Sequence, residues 1–138
     1  MQYLIDTDIL IHHLHGKFSL GKKFDEIGYA NCYVSEITIA ELAFGAEYSS
    51  NRDKHIAEVD AAEQTFSILP ITEAVRTYAV IKATLRRSGS LIPDNDLFVG
   101  ATALHHDLTL ATANTKHFTR IDKLRIEDWT KKEFNRFI

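Results

Sequence analysis

Four short apolar runs limit what this chain can fold into: YLID (3–6), NCYVS (31–35), SILPI (67–71) and LTLAT (108–112). Each has the length and content of a strand buried on both faces. The stretches between them place apolar residues at helical spacing. Residues 9–15 and 20–27 read as helices stopped by Gly16 and Gly28. SEITIAELAFGAEYSS (35–50) opens on Ser35 as a helix cap, and a second helix follows over 51–66. Another begins at Thr72 and runs to about Ser88, where SGS breaks it, and one more starts after Pro93. LRIEDW (124–129) is predicted to add a fifth strand at an edge. Strands alternating with helices predict an α/β fold with a central, mostly parallel sheet of four to five strands and helices on both faces.

The length of 138 residues, 45% of them hydrophobic, suits a single domain over 1–138 that buries a core without staples. Cys32 is the sole cysteine, so no internal disulfide forms, which fits a reducing cytoplasm. MQYLIDTDILIHHLHG carries Asp6 and Asp8 inside its apolar run and reads as a strand, not a leader; no stretch approaches the roughly 20 apolar residues of a membrane span. The net charge of −3 argues against binding nucleic acid through bulk charge. From Lys116 onward, however, seven Lys/Arg face four Asp/Glu, a local balance of +3, and 74–93 holds Arg76, Lys82, Arg86 and Arg87 with no acid. These are candidate phosphate contacts, or simply a solvated helix face and a charged tail.

The acids carry more information. In open parallel sheets, sites form beyond the carboxyl ends of strands. Asp6 ends the first strand, Asn114 lies just past the fourth, and IPDNDLFVGATAL (92–104) opens a helix with Asp94 and Asp96. At about 100° per residue, Glu41 shares a helix face with Ile37, Phe44, Gly45 and Tyr48, while Glu36 and Glu47 point elsewhere. A carboxylate on an apolar face is costly unless paired or metal-bound. Each acid also has a plain structural reading. Glu41 can be half of a buried pair, Asp94 an N-cap, and Asp94 with Asp96 a pair complementing the helix dipole. Taken together, three or four carboxylates are hard to sustain without a cation or a raised pKa. An all-oxygen ligand set suits Mg²⁺ or Mn²⁺.

The histidine tracts HHLH (12–15) and HH (105–106) lack the spacing of a zinc motif, and no glycine-rich phosphate loop or GxSxG elbow is present. Cys32 reads as a small core residue.

YLIDTDILI (3–11), SEITIAELAFGA (35–46), IPDNDLFVGATAL (92–104) and LATANTKHFTRIDKLRIEDW (110–129), in this order, resemble the PIN domain, and among PIN domains the VapC-type ribonuclease toxins. The resemblance implies a small α/β metal-dependent nuclease that cuts RNA, often tRNA or rRNA, and stops translation. It implies Mg²⁺ or Mn²⁺ held by Asp6, Glu41 and Asp96, with Asp94 as an additional acid found in some members. Thr7, Thr112 and Asn114 fall beside these acids as supporting polar groups. Asn114 brings no charge where many relatives carry a fourth acidic or polar residue, which bears on whether a second metal binds. Gly100 reads as a packing change. The resemblance also implies a homodimer or larger assembly in the cytoplasm and a cognate antitoxin whose C-terminal segment covers the site. Arg86, Arg87 and Lys116 are candidate RNA contacts.

Three other functions compete. The DTD at 6–8 resembles the acid pair of haloacid-dehalogenase-like phosphatases, with Asp6 as nucleophile, but Glu41 then has no task. A phosphorylation receiver wants an acid at the end of the third strand, where SILPIT offers none. A PIN module that binds RNA or a partner without cutting has no need of four acids.

Overall fold

The computed structural model describes residues 1–131. The end of the basic C-terminal stretch, 132–138, lies outside the described residues. The expected strands are present: β1 (Tyr3–Ile5), β2 (Cys32–Ser35), β3 (Ser67–Leu69), β4 (Thr109–Ala111) and β5 (Ile126–Glu127). They form one sheet in the order β3-β2-β1-β4-β5, every pair parallel. The alternation of side chains along a strand explains why these runs are apolar throughout. Tyr3 and Ile5 enter one core with Val34 and Ala111, while Leu4 enters the other with Leu110.

Helices cover both faces, as expected. On the first face lie α1 (Thr7–Leu14), α2 (Leu20–Ile27), α3 (Glu36–Tyr48) and α4 (Arg52–Thr65), contributing Ile9, Leu10, Phe24, Leu42 and Val59. On the second lie α5 (Val75–Arg87), α6 (Asp94–His105) and the short α7 (Thr115–Phe118), contributing Ile81, Leu85, Leu97, Val99 and Phe118. A 3₁₀ turn at Thr72–Ala74 leads into α5. Ser35 caps α3 by accepting from Ile37 N at 3.1 Å. Gly100 is indeed a packing residue, since a Cβ there would lie 2.5 Å from Ile121 Cδ1.

Three local expectations need correction. The first helix starts at Thr7, not Ile9, because Asp6 caps it through Thr7 N. Asp94 is not an N-cap: Pro93 holds that position, and Asp94 makes no capping bond. The face of α3 that carries Glu41 does not point into the core. Thr38, Leu42 and Ala46 are the buried line, whereas Phe44 is 70% and Tyr48 84% exposed. Phe44 and Tyr48 beside Glu41 therefore form an open surface with their rings stacked, while Ile37 packs partly against the second core.

The sheet order also fixes where a site belongs. From the central β1 the chain builds outward through β2 and β3, then returns to the other side of β1 to add β4 and β5. The segments leaving β1 and β4 diverge at this reversal, which opens a crevice at their carboxyl ends.

Candidate active site

Asp6 follows β1 directly and sits at the head of this crevice, 6% exposed. Its Oδ1 accepts from Thr7 N at 2.8 Å and its Oδ2 from the Thr112 hydroxyl at 2.8 Å. Asp6 thus ties the end of β1 to the segment after β4. Burial, followed by repulsion from Asp8, pushes its carboxyl up to about 7, against the pull of its two hydrogen bonds; Asp96 adds further repulsion. A carboxylate in this environment is relieved by a proton or by a positive partner.

Glu41 reaches the crevice from α3. The Thr7 hydroxyl donates to Glu41 Oε1 at 2.7 Å and lies 3.0 Å from Thr38 Oγ1. Thr7 therefore bonds Asp6 through its backbone and Glu41 through its side chain. No ion pair engages Glu41 among the described residues, so the buried-pair reading finds no support. Asp96 enters from the first turn of α6, partly exposed. Its Oδ2 lies 2.7 Å from His117 Nδ1 and accepts a longer bond from Asn114 Nδ2 at 3.4 Å. Asn114 N–H in turn donates to Thr112 Oγ1 at 3.0 Å, which closes a chain from Asp96 to Asp6.

The structure thus brings Asp6, Thr7, Glu41, Asp96, Thr112 and Asn114 together. Asp94 stands apart from them in its bonding. Its Oδ1 accepts from Lys82 Nζ and the Tyr78 hydroxyl, both at 2.9 Å, and these donors hold its carboxyl below the ordinary range. Among the described residues, no three of the acids Asp6, Glu41, Asp94 and Asp96 place oxygens within 4.8 Å of one another. Arg86 and Arg87 occupy the exposed last turn of α5, and Lys116 lies on α7 next to His117.

Two residues were missed from sequence. His117 touches Asp96 directly, and its signal was its place three residues after Asn114, within TANTKHF. Asp8 accepts from Ile9 N at 2.7 Å and from Ala113 N at 3.0 Å, fastening α1 to the loop after β4. Burial raises its carboxyl too, with Asp128 adding repulsion against the pull of its hydrogen bonds and His12. Because the Asp8 carboxylate is spent on backbone donors, it does not stand over Asp6 as a phosphatase acid pair requires. Beside the acids, a cavity lined by Thr7, Ile11, Ile37, Ala40, Glu41, Phe44 and Asn95 runs onto the open face of α3.

Parallel strands, a crevice at the chain reversal and carboxylates supplied from the end of β1, from α3 and from α6 define a protein of the nuclease class. The PIN domain pattern matches residues 3–124. The chain is 35% identical over 137 residues to the ribonuclease VapC1 of Rickettsia felis, covering 96% of this chain and all of that one. It is 27% identical over 131 residues to the tRNA(fMet)-specific endonuclease VapC of Shigella flexneri, covering 94% and 99%. A chain in the crystal structure of DNA-bound VapBC from Salmonella typhimurium superposes with a TM-score of 0.86 at 27% identity, covering 94% and 98%. The chain belongs to the PIN-domain family, among its VapC ribonucleases.

Proposed function

We propose that this chain is a Mg²⁺- or Mn²⁺-dependent endoribonuclease, the toxin of a toxin–antitoxin pair, which cuts tRNA or rRNA and so stops translation. The observation that carries this reading is one crevice in which Thr7 ties buried Asp6 to Glu41 and Thr112 with Asn114 ties Asp6 to Asp96. The tRNA-specific name of the Shigella relative supports an RNA substrate. The VapBC complexes to which the fold is similar support an antitoxin partner. The open apolar face of α3 beside the acids is the surface we assign to that partner. Assembly as a homodimer and residence in the cytoplasm follow from the same reading. Among the described residues, no helix is long and apolar enough to cross a membrane.

The donor set fits the ion. Asp6, Glu41 and Asp96 offer only hard oxygen, which suits Mg²⁺, an ion that keeps several of its waters and needs only one or two direct carboxylates. Asp94, its charge already taken by Lys82, contributes least. When bound, a divalent ion supplies an activated water at neutral pH and neutralises charge on the scissile phosphate. The chain's own residues prepare the site. Thr112 and Thr7 N–H hold Asp6 with both oxygens engaged, Thr7 fixes Glu41, and His117 with Asn114 orients Asp96. Arg86, Arg87 and Lys116 supply candidate phosphate contacts.

The test is cleavage of labelled tRNA and rRNA by purified protein, with Mg²⁺, with Mn²⁺ and with EDTA. Cutting that requires the ion and disappears in Asp6→Asn and Asp96→Asn is expected. Cutting that survives EDTA or either substitution overturns the assignment.

A further inference from the structure

At the far end of α6, nine residues and about 14 Å along the axis from Asp96, a second group of ligand-bearing side chains comes together. Glu73 on the 3₁₀ turn, His105 on the last turn of α6 and the C-cap His106 each bring one donor atom within 4.8 Å of the other two. The mechanism uses none of the three. We propose that they form a binding site for a borderline divalent transition metal, zinc foremost, distinct from the acidic crevice.

Three observations support the site. His106 Nε2 is shielded from solvent and has no hydrogen-bond partner among the described residues. A buried nitrogen left unpaired is costly, and an ion is one of the few things that explains it. Its nearest charged neighbour, Glu73 Oε2, is 3.7 Å away. That is too long for a hydrogen bond. It is close to the roughly 3.4 Å that separates two ligands of one tetrahedral ion with bonds of about 2.0–2.1 Å. Finally, the group sits at the carboxyl end of a twelve-residue helix, where the backbone dipole favours a cation.

The chemistry of the donors selects the metal. Two imidazoles and one carboxylate match the three-ligand zinc sites that leave a position open to water, and they suit Ni²⁺ or Cu²⁺ better than Mg²⁺. His105 and His106 already stand nearly perpendicular, ring centroids 4.9 Å apart. His105 is exposed, so a side-chain rotation can close the remaining gap without moving backbone. The ion would fasten the 3₁₀ turn to the end of α6. Spacing along the chain hides this site because the third ligand lies far upstream of the HH pair, on the other side of α5.

The experiment titrates Zn²⁺ into the metal-stripped full chain against a chromophoric zinc indicator, with millimolar Mg²⁺ present to occupy the acidic crevice. The expected result is one zinc per chain, with affinity weakened about tenfold or more in both His106→Ala and Glu73→Gln while Mg²⁺-dependent RNA cleavage stays at the wild-type level. His105→Ala removes an exposed side chain and keeps the test decisive if His106→Ala fails to fold by circular dichroism. Co²⁺ serves as a second readout, its visible bands appearing in the wild type and vanishing in the variants. No stoichiometric zinc binding, or binding unchanged in the folded variants because the HHLH tract or the acids take the ion, overturns the proposal. A 3.7 Å His106–Glu73 ion pair without a metal predicts that second set of results.

Discussion

Replacing Asp6 by Asn should stabilise the metal-free protein, and only above a defined pH. The folded carboxyl is raised from 3.8 to about 7, so it binds its proton more tightly than the unfolded chain does. Between about pH 4 and 7 the folded state therefore holds the extra proton. The contribution to stability is fully present below about pH 4 and is lost as pH rises through about 7. At about 1.4 kcal/mol for each tenfold change in proton affinity, the full span corresponds to roughly 4 kcal/mol. Asparagine never titrates, so it escapes that loss.

Its bonding can be kept. Oδ1 can accept from Thr7 N as Asp6 does, and Nδ2 can donate to Thr112 Oγ1, which has two lone pairs and already accepts from Asn114 N. Allowing about half of the 4 kcal/mol for relaxation of the wild-type site, the variant should gain about 2 kcal/mol at pH 8.5, or roughly 5–10 °C in midpoint. Near pH 4 the two proteins should melt together. Urea or thermal unfolding in EDTA across pH 4 to 8.5 measures the gap. Adding Mg²⁺ should shrink or invert it, because the ion binds the folded wild type and stabilises it by about 2.7 kcal/mol at a hundredfold excess over Kd. A gap that is the same at both ends of the pH range, or an Asn variant less stable at pH 8.5, refutes the reasoning.

Glu41→Gln keeps an oxygen to accept from Thr7 and should leave the melting temperature within a few degrees while cleavage falls by more than about tenfold; a large stability loss with cleavage intact would mark Glu41 as structural. Asp96→Asn should raise the Mg²⁺ concentration for half-maximal cleavage by more than about tenfold, whereas Asp94→Asn, which keeps an oxygen to accept from Lys82 and Tyr78 and loses only its negative charge, should raise it less than about threefold. Titration of Mg²⁺ against a labelled RNA separates the two, and equal shifts would place Asp94 among the ligands. Thr112→Val removes a bond that favours ionised Asp6 and strands Asn114 N–H, so it should cost about 1–3 kcal/mol of stability. It should also move the acid limb of the pH–rate profile upward; a limb that stays in place would show that the ionisation of Asp6 does not govern the reaction.

The fold was legible because its signals are local. A strand buried on both faces is apolar at every position, and Leu4 beside Tyr3 and Ile5 could be read so without knowing which core each enters. Glycine stops and the Ser35 cap act within a turn of the residue concerned. The errors arose where two local readings competed. Asp6 serves at once as the end of β1 and the cap of α1, so periodicity alone began that helix too late. Pro93 takes the cap position with its backbone, which frees Asp94 to reach a lysine from the preceding helix.

The site was legible only as a set of residue types. That Asp6, Glu41 and Asp96 would meet followed from strand ends and resemblance, but the helical face offered in support of Glu41 was the wrong one. An apolar stripe on α3 can face solvent when a second stripe of the same helix supplies the core contact. Here Thr38, Leu42 and Ala46 do so, Ile37 packs partly against the second core, and Phe44 and Tyr48 are left exposed. Composition cannot rank two apolar stripes on one helix; only the packing of α3 against β2 and α4 does. The same holds for His117 and Asp96, which are 21 positions apart and 2.7 Å from one another. Such pairs become visible when the chain reversal at β1 brings the ends of α6 and β4 to one crevice, and that reversal is also what leaves Asp6 buried near Asp8 and Asp96.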